Sequence, residues 1–213
     1  MKNFKGIVYA ALSSSTFGLA PLFSILLLSD GFSSFEVLSY RWGVASLTLG
    51  IVGLAGGCRF RISRQELCTV FFLSLFRAAT SLSLVIAYQN ISSGVASIIH
   101  FMYPLAVALA MALFFHERIS WRTAAAIGVS LAGVALLSAG GIGSRGGDTT
   151  SGTVAAAVSV FAYAGYIIGV RKSRAAQVES TTLTFYVMAF GALLFLCGCL
   201  LYTSPSPRDG LLS

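Results

Sequence analysis

VFFLSLFRAATSLSLVIAYQ (residues 70–89) is apolar enough to sit in lipid and yet carries Arg77 near its middle. As an α-helix rising about 1.5 Å per residue, about twenty such residues cross a hydrocarbon core of roughly 30 Å. A permanent charge at mid-bilayer costs at least about 2.5–3.5 kcal/mol on insertion scales, so it is retained where it faces protein or water. Ser74, Arg77, Ser81 and Tyr88 are spaced i, i+3, i+7 and i+14, which puts them on one helical face. The segment is therefore predicted to be a membrane helix with a polar inner face, and such a helix needs others around it.

The rest of the chain supplies them. Of 213 residues, 56% are hydrophobic and 10% charged, with a mean hydropathy of +0.85. Soluble domains carry about 25% charged residues, so the chain is a polytopic membrane protein. Apolar runs bounded by charge or Gly/Ser predict seven spans, at 5–28, 34–56, 67–89, 92–115, 121–139, 152–170 and 180–201. With a cytoplasmic N-terminus, the inner segments hold ten basic residues (Lys2, Lys5, Arg59, Arg61, Arg64, Arg118, Arg122, Arg171, Lys172 and Arg174) and the outer loops only Arg145. This positive-inside bias predicts a multi-pass protein of the inner membrane with its N-terminus in the cytoplasm. The net charge of +7 is spread between spans rather than gathered in a patch, which argues against nucleic acid as a partner. The first run follows Lys2 and Lys5 but is too long for a signal-peptide core and is expected to stay attached.

Two further spans carry polar chemistry at depth. In the fourth, Ser93, Ser97, His100, Pro104 and Ala108 form a small, polar face, and Ile98, Met102, Leu105, Leu109 and Leu113 a bulky one expected to meet lipid. Pro104 lacks an N–H and so frees the carbonyl of His100; Pro21 does likewise for Phe17 in the first span. By helical rise, Arg41 lies about 10 Å, His100 about 12 Å and Arg77 about 18 Å below the outer ends of their helices. A cavity lined by these groups favours an anionic group such as a carboxylate or phosphate. The candidate substrate-binding residues are Arg41, Arg77, His100, Ser81, Tyr103 and Pro104. Structural roles stand beside these: Arg41 bonded to carbonyls or paired with Glu36, and His100 as a hydrogen-bonded packing residue. For Tyr103, Tyr163 and Tyr166, the alternative to a cavity role is packing or interfacial anchoring.

A shift of 146 residues lays GIVYAALSSSTFG (6–18) on GTVAAAVSVFAYA (152–164) and pairs Ser34 with Ser180 and Tyr40 with Tyr186. Five spans in one period would insert the second copy upside down, an arrangement of secondary transporters. The block SSGVASIIHFMYPLAVALAMALFFHERISWRTAAAIGVSLAGVALL (92–137) has a small-residue helix with a central Pro104, ending in Glu117-Arg118, then a helix bearing Gly128 and Gly133. With FGLAP (17–21) and Arg41, it resembles the EamA-type domain of the drug/metabolite transporter superfamily. The resemblance implies two five-helix repeats and transport of amino acids, other metabolites, nucleotide sugars or drugs. The expected organisation is a first repeat at 1–139, an outer connector at 140–151 and a partial second repeat at 152–201. YTSPSPRDGLLS (202–213) resembles translated sequencing-adapter read-through, so a truncated product with a non-native tail is expected.

Other motifs fail on context. Gly141, Gly143 and Gly146 spell a dinucleotide fingerprint but lie between membrane helices rather than in a βαβ unit. Cys58, Cys68, Cys197 and Cys199 match no metal spacing and read as packing residues. Ala124, Gly128 and Ala132 read as a close helix contact. No catalytic motif, metal site or cofactor is expected. The sequence thus predicts an all-α polytopic bundle, one five-helix repeat plus two helices of an inverted second, that transports small organic metabolites by alternating access. A non-transporting assembly subunit and a seven-helix receptor are the alternatives; the partners expected are a small solute and the lipid bilayer, with a homodimer left open.

Overall fold

The computed structural model describes residues 7–8, 19, 21–117, 120–139 and 148–202. Most of the first predicted span, Arg118, the glycine-rich part of the connector with Arg145, and the expected non-native tail after Tyr202 lie outside these residues. The described chain is helical: α1 (21–29), α2 (Ser34–Ala55), α3 (Arg64–Asn90), α4 (Ser93–His100), α5 (Tyr103–Phe115), α6 (Trp121–Ala139), α7 (Thr149–Lys172) and α8 (Ser180–Tyr202), with a 3-10 turn at Arg174–Gln177. Five helical segments, Ser34–Ala55, Arg64–Asn90, Ser93–Phe115, Thr149–Lys172 and Ser180–Leu201, are long and apolar enough to cross a membrane. Large apolar side chains such as Leu47, Ile51, Phe72, Leu113, Phe161 and Leu200 point outward, as acyl chains allow and water does not. The protein is an all-α polytopic membrane bundle.

The few acidic residues are used at helix ends. Glu36 N–H donates to Ser33 Oγ (3.3 Å) and Ser33 N–H to Glu36 Oε2 (2.7 Å), a reciprocal cap that starts α2. Ser63 and Glu66 repeat the arrangement at α3, and Asp148 Oδ1 accepts from Thr150 N–H (3.0 Å) at α7. Glu36 is thus committed to its cap.

The fourth predicted span is not one continuous helix. α4 stops at His100, Phe101 and Met102 turn, and α5 restarts at Tyr103 with Pro104 in its first turn. A proline there lacks only an N–H that would be unpaired anyway, but residue 104 cannot bond back to the His100 carbonyl, so the ladder breaks. On the bulky face, Ile98, Leu109 and Leu113 are exposed as expected, whereas Met102 and Leu105 face a groove shared with Thr123, Ala126 and Ile127 of α6.

Glycines let the central helices close up. α2 and α8 run antiparallel: Phe35 meets Gly198, Trp42 meets Gly191 and Phe195, and Gly50 meets Phe185. α3 and α7 do the same, with Leu73 on Gly169, Phe76 on Gly165 and Ile91 on Gly152. The main core lies among α2, α3 and α8, with Leu38, Trp42, Val70, Val85 and Val187 buried. Two expectations fail. Gly128 and Ala132 are exposed and a Cβ at Gly128 would meet nothing within 4 Å, because the close contacts are made by α7 and α8 instead. None of the four cysteines is in a disulfide; Cys68 and Cys197 lie on the outer surface, and Cys58 bonds to Glu179 rather than packing.

Candidate functional site

Arg77 lies on the half-buried inner face of α3, between two aromatic rings. Its guanidinium carbon is 5.7 Å from the Trp42 ring centre on α2 and 5.1 Å from that of Tyr163 on α7. Nη1 donates to Ser81 Oγ, one turn further along α3, at 3.2 Å. Each cation–π contact contributes about 0.5–2 kcal/mol and the charged hydrogen bond about 1.5–3 kcal/mol, together comparable with the insertion cost of the charge. These contacts make the cation tolerable at depth without neutralising it.

A second guanidinium reaches the same space. Arg41 of α2 donates to Ser24 Oγ of α1 at 2.8 Å. The two arginines line one cavity with Ser81 and Tyr88 of α3, His100 of α4 and Tyr163 of α7; Pro21, Leu84 and Val85 complete the wall. Counting its open mouth, this cavity holds about 480 Å³ of empty volume. Its residues extend from the middle of α3 and α7 towards the bundle end where α3 meets α4.

His100 is 4% exposed, and its Nδ1 is 3.0 Å from Ser159 Oγ of α7. The Ser159 hydroxyl already donates its proton to the Ala156 carbonyl at 2.6 Å. With its proton on that carbonyl the hydroxyl accepts from the ring, the pairing that satisfies both contacts, and the tautomer assigned on this ground has its proton on Nδ1 and an acceptor at Nε2. Tyr103 and Tyr163 pack against this imidazole at ring-centre distances of 5.6 and 5.4 Å and meet each other edge-on at 4.5 Å; Tyr166 stacks on Tyr163 at 5.8 Å.

The structure therefore brings together Arg41, Arg77, Ser81 and His100, with Tyr103 in the aromatic cluster behind them. Pro104 is set apart: it is exposed and lines a groove between α5 and α6, away from both arginines. Tyr163 lines the cavity. Trp42 and Ser159, which hold Arg77 and His100, carried no signal in the sequence beyond their residue type, because the rotation of α2 and α7 against α3 and α4 is set only by packing.

The opposite end of the bundle is tied by polar contacts. Cys58 Sγ donates to Glu179 Oε2 at 2.9 Å, Tyr186 OH donates to the Phe60 carbonyl at 3.1 Å, and Lys172 Nζ pairs with Glu117 Oε1 at 3.1 Å. The partners of that last pair are 36% and 43% exposed, so it contributes at most about 1 kcal/mol.

Apolar helices of membrane-spanning length thus surround a cavity lined by two arginines. The model of the EamA-like transporter family matches residues 4–139, and the chain belongs to that family. It is also similar to an uncharacterized transporter of Archaeoglobus fulgidus, at 26% identity over 137 residues. That match covers 64% of this chain but 44% of the relative's length. The chain thus spans less than half the length of that relative, and its described helices make it a multi-pass membrane protein of the family.

Proposed function

We propose that this transporter carries a small acidic or zwitterionic metabolite, held at the Arg41–Arg77 cavity and released by alternating access. One observation carries the reading. Two guanidiniums face a shared space, and the six acidic residues among the described residues (Asp30, Glu36, Glu66, Glu117, Asp148 and Glu179) all lie at helix ends. Among the described residues no carboxylate lines the cavity to neutralise them, so a solute supplies the anion, and guanidinium binds carboxylate or phosphate bidentately.

The antiparallel pairing of α2 with α8 supports reading 1–139 as one repeat and 152–201 as the start of an inverted second, since the 146-residue shift equates these two helices. The proposed orientation puts the end bearing Arg59, Arg61, Arg64, Arg122, Arg171, Lys172 and Arg174 in the cytoplasm of an inner membrane. The cavity then opens towards the outer half. Binding of propionate to the purified chain in lipid nanodiscs tests the reading: Arg77→Leu is expected to abolish it. Undiminished binding rejects the cavity role, and stoichiometric co-purification with an acidic membrane protein, without solute binding, favours an assembly subunit instead.

A further inference from the structure

Resting on the anion reading above, we infer that the cavity selects a net-negative hydroxycarboxylate over both a plain carboxylate and a zwitterionic amino acid. The selecting group is His100. Its Nδ1–H is committed to Ser159, whose own proton goes to the Ala156 carbonyl, so the ring cannot present a donor to the cavity without breaking this chain. Nε2 has no partner among the described residues, and no buried side-chain nitrogen or oxygen is left without one, so Nε2 reaches open space. An otherwise buried acceptor in a cavity it shares with Arg41 and Arg77 asks for a ligand that brings an anion and a hydrogen-bond donor together.

A hydroxyl and an ammonium both donate, but the surroundings separate them. The described cavity holds two cations and no carboxylate, and a like charge even 10 Å away lowers occupancy about ten-fold at an effective dielectric of about 20. Of the two aromatic residues that line the cavity, Tyr88 and Tyr163, the Tyr163 ring is already covered by the Arg77 guanidinium. A neutral hydroxyl satisfies Nε2 without this repulsion.

Three acids of the same carbon skeleton isolate the effect: L-lactate, propionate and L-alanine, titrated by calorimetry into the purified full chain in nanodiscs at pH 7.5. Lactate is expected to bind about three- to ten-fold more tightly than propionate, the range of one net hydrogen bond, and alanine at least ten-fold more weakly than lactate. His100→Phe keeps the ring's bulk and is expected to bring lactate and propionate to equal affinity. Ser159→Ala, which releases the ring's tautomer without touching the cavity wall, is expected to narrow the same ratio and serves if His100→Phe does not fold. Propionate matching lactate, or alanine matching it, in the unaltered chain overturns the hydroxyl selection while leaving the anion site standing. Silence from all three acids overturns both.

Discussion

Arg77 shows how a membrane protein keeps a charge without cancelling it. The rings of Trp42 and Tyr163 and the Ser81 hydroxyl stabilise the guanidinium, but none is negative. Replacing Arg77 by leucine removes the cation and the insertion cost together, so Arg77→Leu is expected to reach the membrane folded and to lose propionate binding. Arg77→Lys keeps the charge but loses the planar fork and the stacking face; binding weaker by about ten-fold, about 1.4 kcal/mol, is expected on calorimetry. Equal loss in both variants would mean that charge alone is not what the site uses. The depth of Arg77 and its stripe with Ser81 and Tyr88 could be read from helical spacing. Its aromatic partners could not, because Trp42 and Tyr163 come from helices whose facing is a tertiary property. Arg41 was legible as a deep cation, but its bond to Ser24 was not, for the same reason.

At the scale of helices, the same change at two glycines separates packing from propensity. A Cβ at Gly191 would collide with the fused Trp42 ring, which is buried and braced edge-on by Phe195. A Cβ at Gly169 would meet the end of Leu73, whose terminal methyl can turn away. Glycine to alanine in a helix gains up to about 1 kcal/mol of propensity, whereas overpacking a rigid neighbour costs about 1–3 kcal/mol. Gly191→Ala is therefore expected to lower the melting temperature in detergent and Gly169→Ala to leave it nearly unchanged; the reverse order would refute the α2–α8 packing. Spans were legible because apolar length is a local property: the second, third, fifth, sixth and seventh predicted spans fall on α2, α3, α6, α7 and α8 within a few residues. The sequence also marked Pro104 as the place where the ladder loses a bond, but not that α4 would end there. Small residues misled on α6, where Gly128 touches nothing, since small size permits a close approach without supplying the neighbour.

For the whole molecule, the open question is which way the bundle faces, and Cys58 is a native reporter of it. The residue sits in the loop between α2 and α3, at the end that gathers the basic residues, and its thiol donates to the Glu179 carboxylate before α8. With Cys68, Cys197 and Cys199 changed to serine, a membrane-impermeant maleimide is expected to spare Cys58 in intact cells and to label it after permeabilisation. Labelling of intact cells would invert the proposed orientation, and with it the outward opening of the cavity. The rate carries separate information. The hydrogen bond to Glu179 holds the Cys58 thiol above its ordinary range against the opposing pull of the Thr182 hydroxyl, with smaller upward contributions from desolvation and then from the Glu179 charge. Maleimide consumes the thiolate, so a raised pKa means less reactive sulfur at neutral pH and a rate that climbs about ten-fold per pH unit until the thiol titrates. Glu179→Gln removes the charge and is expected to speed labelling at pH 7, with the difference closing once the medium is alkaline enough to ionise both thiols. Because Cys58 and Glu179 lie on loops of the two proposed repeats, an unchanged rate would show that these loops do not meet in the membrane-embedded protein, and the tie that closes this end would be absent.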